Sequence, residues 1–291
     1  MAVKKKIVLL GDSAVGKTSL IRRYVFDRFD DSYITTIGSK VTKKELTIRK
    51  GDREIALNLM IWDVLGREGY IATHARTFAG VHGAFLLADL TRKDTLANLE
   101  QYWIPLLFRV VENVPLIFVS NKTDLVDEIA FKLRDIQEIA SRYNIGIEDR
   151  LPSHLTSTYS TSAKTGENVE KAFESLGHLV LSGKMLRDPM RELCQTLVAE
   201  GIYRRTDRRT LIGAADAIIV DFCGGFDDDR VAISLLRQEF VRAGVDIRSP
   251  SKEGLSKAVE YLAEVESEFK DEKTVMSNKE RRLRLVRSAR R

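Results

Sequence analysis

Hydrophobic and polar positions along the 291-residue chain change period several times, and each change marks an element. Lys4, Lys5 and Lys6 lead into Ile7, Val8, Leu9 and Leu10, an apolar run that fits a buried strand ending at Gly11. From Ser19 to Phe26, Leu20, Ile21, Tyr24 and Val25 recur at helical spacing. Asp30 to Gly38 has no clear period and reads as an exposed loop. Glu45–Arg49 and Ile55–Trp62 read as hairpin strands joined at Lys50-Gly51-Asp52, with Ile55, Leu57, Leu59 and Ile61 alternating on one face. Gly83–Asp89 is apolar throughout, as a strand covered on both faces should be. A helix is expected over Thr95–Val111, strands over Pro115–Ser120 and Thr156–Thr161, and a helix over Val169–Leu181.

Beyond Gly183 the pattern becomes helical. Helices are expected over Pro189–Glu200, Leu211–Phe222, Asp228–Ala243 and from Ser249-Pro250-Ser251 to about Phe269, with Gly244 as a stop signal and Pro250 in the first turn of the last helix. Each has an apolar face that needs a partner. The pattern divides the chain into 1–183, a small helical domain over 184–272, and a tail over 273–291.

Charge changes this picture only at the end. The net charge of +5 is mild, but Lys279 to Arg291 holds seven basic residues against the single acid Glu280. This tail fits a solvated terminus; its charges would also suit an anionic membrane surface or an acidic partner, with no DNA specificity evident. No apolar run reaches the roughly 18 residues that cross a bilayer. With only Cys194 and Cys223, neither a disulfide framework nor a terminal lipidation box is indicated. A cytoplasmic protein is expected, at most peripheral to the inner face of a membrane.

Candidate chemistry sits at strand ends. Gly11-Asp12-Ser13-Ala14-Val15-Gly16-Lys17-Thr18 follows the first strand and opens the first helix, the order of a GxxxxGK(S/T) phosphate loop. There Lys17 would reach β- and γ-phosphates and Thr18 would place its hydroxyl on Mg²⁺. Asp63-Val64-Leu65-Gly66 forms a DxxG element that would bring a carboxylate near the metal and a glycine N–H near the γ-phosphate; alone, such a pattern usually just makes a turn. Asn121-Lys122-Thr123-Asp124 is more specific, because the Asp124 carboxylate can accept from both guanine N1–H and the 2-amino group, a donor pair adenine lacks. Asn121 would support the base and brace the phosphate loop, the Lys122 stem would cover one base face, and the Ala163 N–H of Ser162-Ala163-Lys164 could meet guanine O6.

Taken together, GDSAVGKTSL, SYITTIG, WDVLG, NKTDL and TSAKTGENV resemble the Ras superfamily of small GTPases, nearest its Rab-like branch, over roughly residues 4 to 182. The resemblance implies an α/β Ras-like P-loop GTPase fold with a mixed six-stranded sheet, GTP and GDP as ligands, Mg²⁺ as cofactor, and effector and regulatory proteins that read the switch loops. It places Gly11, Ser13, Ala14, Val15, Gly16, Lys17, Thr18 and Ser19 around the phosphates. Asn121, Lys122, Asp124, Leu125, Ser162, Ala163 and Lys164 would hold the base, Thr18, Thr36 and Asp63 the metal, and Thr36, Gly66 and Arg67 would act in hydrolysis. Two departures stand out. Arg67 occupies the position of the glutamine that orients the attacking water, and the stretch between NKTD and SAK is long, as an elaborated surface loop would be. Guanidinium only donates hydrogen bonds, so two readings stay open: a GTP-hydrolysing switch, slow or partner-dependent or using Arg67 as a finger in cis, and a hydrolysis-deficient scaffold.

In the helical region, Asp221 to Asp229 brackets two glycines with carboxylates. The spacing fits helix ends better than an EF-hand loop, and Cys223 reads as core. Arg204, Arg205, Arg208 and Arg209 read as a solvated loop.

Overall fold

The computed structural model describes residues 2–29, 39–50, 53–111, 114–144, 146–182, 210–226, 229–246 and 249–290. The calls on Thr36, on the helix at 189–200 and on the arginines at 204–209 lie outside those residues. Two compact units are present; one holds most of the chain to residue 203, the other Ile37–Lys40 and Arg67–Arg76 together with Arg204–Arg291.

The first unit is a six-stranded mixed sheet in the order β2-β3-β1-β4-β5-β6, from β1 (Val3–Leu10), β2 (Ser39–Lys50), β3 (Arg53–Val64), β4 (Gly83–Asp89), β5 (Leu116–Asn121) and β6 (Thr158–Thr161). Parallel pairing sets Leu9 beside Asp63, Asp89 beside Asn121, and Asn121 beside Thr161. The residues with site chemistry thus line up along the C-terminal ends of the strands, where ligands bind in open α/β sheets.

Both sheet faces are apolar and covered. Ile7, Leu9, Phe85, Leu87, Ile117 and Val119 pack with α1 (Lys17–Phe26) and α6 (Val169–Leu181), where the Tyr24 and Phe173 rings stack at 3.8 Å. Each such buried side chain contributes about 1.5–3 kcal/mol. The alternate residues Val8, Leu86 and Phe118 are equally buried, and Phe118 meets Tyr143 of α5 (Leu133–Tyr143).

The helix expected over Thr95–Val111 is interrupted. It runs as α3 (Lys93–Asn98), a π-turn at Leu99–Trp103, and α4 (Ile104–Phe108). Pro105 cannot donate to the ladder, and the preceding Ile104 N–H reaches five residues back to the Leu99 carbonyl. The long stretch before β6 carries a 3₁₀ turn at Glu148–Arg150, and Glu148 accepts from the Ser157 amide at 2.9 Å.

The second unit contains α7 (Leu211–Cys223), α8 (Asp229–Arg242), α9 (Lys252–Glu266) and α10 (Glu272–Ser288), with part of α2 (Ile71–Phe78). Caps fix three helix starts: Thr210, Ser251 and Asp271 accept from Gly213, Gly254 and Thr274 amides, each at 3.0 Å. Ile218, Ile219, Phe222, Leu236, Phe240, Leu255, Val259 and Leu262 form its core. As the sequence implies, α7 gives way to Gly224 and an aspartate begins α8.

The 273–291 segment departs from a solvated basic tail. Up to Ser288 it belongs to helix α10 of this unit, with Val275, Arg282 and Val286 buried. Arg282 is fully buried; it pairs with the equally buried Glu266 at 2.7 and 3.0 Å and with Asp221 at 2.7 Å, while Arg281 reaches Asp221 at 2.6 Å. Lys270 and Asn278 also donate to Glu266. Much of the basic charge neutralises carboxylates of the same unit. Among the described residues no helix is long and apolar enough to cross a membrane.

Burial opposes ionisation of Glu266, yet Arg282 and Lys270 hold its carboxyl below the ordinary value near 4.5. The pair therefore stabilises the unit above that value, and the contribution is lost as pH falls through the depressed folded value. Arg282→Met, which leaves Lys270 as the one cation on the buried Glu266 among the described residues, should cost this unit up to about 3–5 kcal/mol. Urea titration read by hydrogen exchange in α9 and α10 measures it, and a loss under about 1 kcal/mol would show that Arg282 is not the counter-ion Glu266 needs.

Candidate functional site

The site is assembled from four strand ends of the first unit. β1 delivers the chain into Gly11, and the loop turns through Ala14 at φ 65° and Gly16 at φ 99° before α1 begins at Lys17. Gly16 must be glycine on two counts: its φ is left-handed, and a Cβ would collide with the Asn121 side-chain amide. The first-turn N–H groups of α1, at Lys17, Thr18 and Ser19, have no acceptor within the helix, the condition that makes helix N-termini suit anions.

Lys17 is 6 % exposed, and its ammonium donates to the Gly11 carbonyl at 2.6 Å and the Asp12 carbonyl at 2.8 Å. Burial pushes it down to about 8, while the carboxylates of Asp63 and Asp12 oppose that shift. A buried cation held by neutral carbonyls is a strong anion attractor. Nearby, the Thr18 hydroxyl donates to Asp63 Oδ2 at 2.5 Å. A hydroxyl and a carboxylate side by side form the hard oxygen set that Mg²⁺ prefers, so these residues fit that ion.

Gly66 seals this end. The Ser13 hydroxyl donates to its carbonyl at 2.8 Å, and a Cβ on Gly66 would strike Lys17 Nζ and the Asp12 carbonyl. Only glycine can approach the phosphate loop this closely.

At the other end, Asn121 is a three-way brace. Its Nδ2 donates to the Val15 carbonyl at 2.9 Å, and Oδ1 accepts from the Thr161 hydroxyl at 3.0 Å and the Ala163 amide at 3.2 Å. Ser162 donates to Asp124 Oδ1 at 2.5 Å, which orients that carboxylate, and the Leu125 amide donates to the Lys122 carbonyl at 3.1 Å. Arg23 of α1 closes the base-side loop by donating to the carbonyls of Ala163 and Lys164 at 3.0 and 2.6 Å.

The structure therefore brings together Gly11, Ser13, Ala14, Val15, Gly16, Lys17, Thr18, Ser19, Asp63, Gly66, Asn121, Lys122, Asp124, Leu125, Ser162, Ala163 and Lys164. Arg67 is half-buried and belongs to the second compact unit.

Several supporting residues were missed by sequence reasoning. Asp89, fully buried at the end of β4, accepts from Lys122 Nζ at 2.6 Å and from Arg92 Nε at 3.0 Å. Burial works against its charge, but Lys122 and Thr91 hold its carboxyl below the usual range. Arg92 also donates to the Ser13 carbonyl at 2.9 Å. Asp12 is held by Asn98 Nδ2 and Trp103 Nε1, each at 2.8 Å. The available signals were an acid closing an otherwise apolar strand, and a core tryptophan whose N–H needs a partner.

Asn121→Ala breaks three bonds joining phosphate loop and base loop at once. Guanine-nucleotide affinity should fall at least about 10-fold with the fold retained, since each net bond contributes about 0.5–1.5 kcal/mol. Release of a fluorescent GDP analogue measures this, and an unchanged off-rate would remove Asn121 from the binding machinery.

Comparison with known proteins agrees with this geometry. The sequence model of the Ras family matches residues 6–182. The chain is 30% identical over 183 residues to the Ras-related protein Rab-27B of Homo sapiens, covering 60% of this chain and 79% of that protein. It is 33% identical over 171 residues to the Ras-related protein RABA4a of Arabidopsis thaliana (59% and 69%), and 33% identical over 177 residues to the GTP-binding protein ypt1 of Schizosaccharomyces pombe (60% and 79%). The phosphate loop, the paired Thr18 and Asp63, and the Asn121 brace all lie within the matched span: this chain belongs to the Ras family and is a Rab-like small GTPase.

Proposed function

We propose that the chain is a molecular switch that hydrolyses GTP to GDP and phosphate, with its switch loops read by effector and regulatory proteins. The observation that carries this reading is the double tie between the phosphate loop and the DxxG element: Ser13 to Gly66, and Thr18 to Asp63. Whatever reorganises the phosphate loop must be felt at Gly66.

In this reading the amides of Ser13 to Ser19 and the Lys17 ammonium bind the phosphates, and Asp124, Ser162 and Ala163 select guanine. Lys122, tied to Asp89, presents its stem to the base, while Leu125 and Lys164 line the pocket. Thr18 and Asp63, together with Thr36, would hold Mg²⁺, which would supply charge neutralisation to the phosphates. Water attacks the γ-phosphorus and the bond to the β–γ bridging oxygen breaks, so the electron pair leaves with GDP. Lys17 and the Gly66 amide offset charge on the γ-oxygens as it redistributes.

Arg67 favours a second reading in one respect. A guanidinium cannot accept a hydrogen bond from the attacking water as a neutral amide can, so turnover is slow, needs a partner, or is absent, leaving a nucleotide-bound scaffold. Its positive charge could instead stabilise the γ-phosphate in cis, as arginine fingers do.

Single-turnover phosphate release from protein preloaded with GTP and Mg²⁺ separates these. If Arg67 acts in cis, Arg67→Ala loses at least about 100-fold of the wild-type rate. If it only replaces glutamine, wild type is nearly silent and Arg67→Gln restores turnover. Silence in all three proteins, with nucleotide still bound, overturns the hydrolytic reading in favour of the scaffold.

A further inference from the structure

Nucleotide chemistry gives no reason for a carboxylate in the middle of α7, yet Asp216 lies there, 4 % exposed, among Ala214, Ala215, Ile218 and Ile219. Aspartate is a weak helix former, and burying its charge is costly unless donors surround it. The donors come from the first turn of α2. Oδ2 accepts from the Ala72 amide at 3.1 Å; Oδ1 accepts from the Thr73 amide at 3.1 Å and from the Thr73 hydroxyl at 2.5 Å. These two amides belong to the first turn of a helix, whose N–H groups have no acceptor within the helix and favour negative charge.

The same grip continues around this point. Tyr70 and His74 are fully buried, and burial first and then Asp216 push the Tyr70 hydroxyl upward. Arg76 donates to the carbonyl of Cys223, the last residue of α7, at 3.4 Å. A cation at a helix C-terminus is favourable for the same dipole reason that a carboxylate is at an N-terminus. Arg67–Arg76 is accordingly part of the second compact unit, although residue 66 is not.

We propose that the helical unit is a partner for the switch II segment carried in cis: through Asp216 it grips the first turn of α2 and occupies the surface that a switch-reading protein would otherwise take. The charge and the geometry both belong to an interface between a docking helix and its receptor, here joined in one chain. The inference rests on the reading of residues 63–76 as a switch segment.

Amide hydrogen exchange on the full-length, GDP-loaded chain tests it. In wild type, residues 71–76 exchange as slowly as α7. Asp216→Asn keeps the volume but removes the charge and one acceptor, and should speed exchange at 71–76 by about 10- to 100-fold while β1, β4 and β5 are unchanged. Thr73→Val keeps the amide and removes only the hydroxyl donor; about 3- to 10-fold is expected. Equal exchange at 71–76 in wild type and Asp216→Asn, with α9 and α10 still protected, overturns the proposal. Should Asp216→Asn unfold α9 and α10 as well, Thr73→Val decides: a rise confined to 71–76 supports the grip, and no rise overturns it. Fluorescent GDP release from the same samples keeps the two questions apart, because loss of nucleotide binding would sink the switch reading whatever the exchange pattern shows.

Discussion

A buried ammonium is the constraint on which the nucleotide unit turns. Lys17 has little access to water, and the Gly11 and Asp12 carbonyls offset only part of its desolvation. The remainder explains why its proton is held so loosely, and why so many neighbours are committed to the loop's shape. Asn98 and Trp103 hold Asp12, Arg92 holds Ser13, and Asn121 holds Val15. Apart from the Trp103 ring, whose centroid lies 6.0 Å from the ammonium, these side chains act on the loop rather than on the charge. They prevent the loop from relaxing around it, so that an anion rather than a rearrangement must satisfy the charge. Preorganisation of this kind is what makes a fixed cation effective against phosphate.

How much of this could be read from the residues depends on the range of the interaction. β4 and α6 were legible to the residue, because a six-residue apolar run closed by an acid and a helical stripe are local signals. The phosphate loop was legible for the same reason: strand, glycines and helix start lie within one short stretch. Asp89 and Arg92 were not, since nothing near them in sequence announces that Lys122 is the partner of one and the Ser13 carbonyl the partner of the other. The π-turn was missed because the apolar spacing of Leu99, Trp103 and Leu106 satisfies a regular helix; Pro105, visible throughout, was the clue that the ladder could not continue unchanged.

Charged residues were the least legible of all. Arg282 reads as one of seven basic residues in a tail, and hydropathy gives it to solvent. Its burial becomes affordable only because Glu266, sixteen residues earlier, and Asp221, sixty-one earlier, arrive at the same place. Asp216 poses the same problem with the opposite sign. A sequence pattern records which side of a helix is apolar, but not which donors the fold brings to a polar residue on that side.

The grip on α2 changes what a nucleotide could control. A ligand shifts a conformational equilibrium only by its difference in affinity for the two states. If Asp216 holds Ala72 and Thr73 equally well whichever nucleotide is bound, the first turn of α2 contributes nothing to that difference. Gly66, tied to Ser13, and Arg67, in the helical unit, are joined by one peptide bond. Within the switch II segment, motion would then be confined to the few residues between Gly66 and Tyr70. Gly69, at φ 93°, lies within that stretch and gives it the backbone freedom such a hinge needs. Confinement has a cost and a benefit. Fewer residues must be ordered when GTP binds, which lowers the entropic penalty, but the signal passed to any outside partner is correspondingly smaller. Unless binding of GTP also loosens Asp216 from Thr73, the helical unit itself is the element best placed to register the change at Arg67.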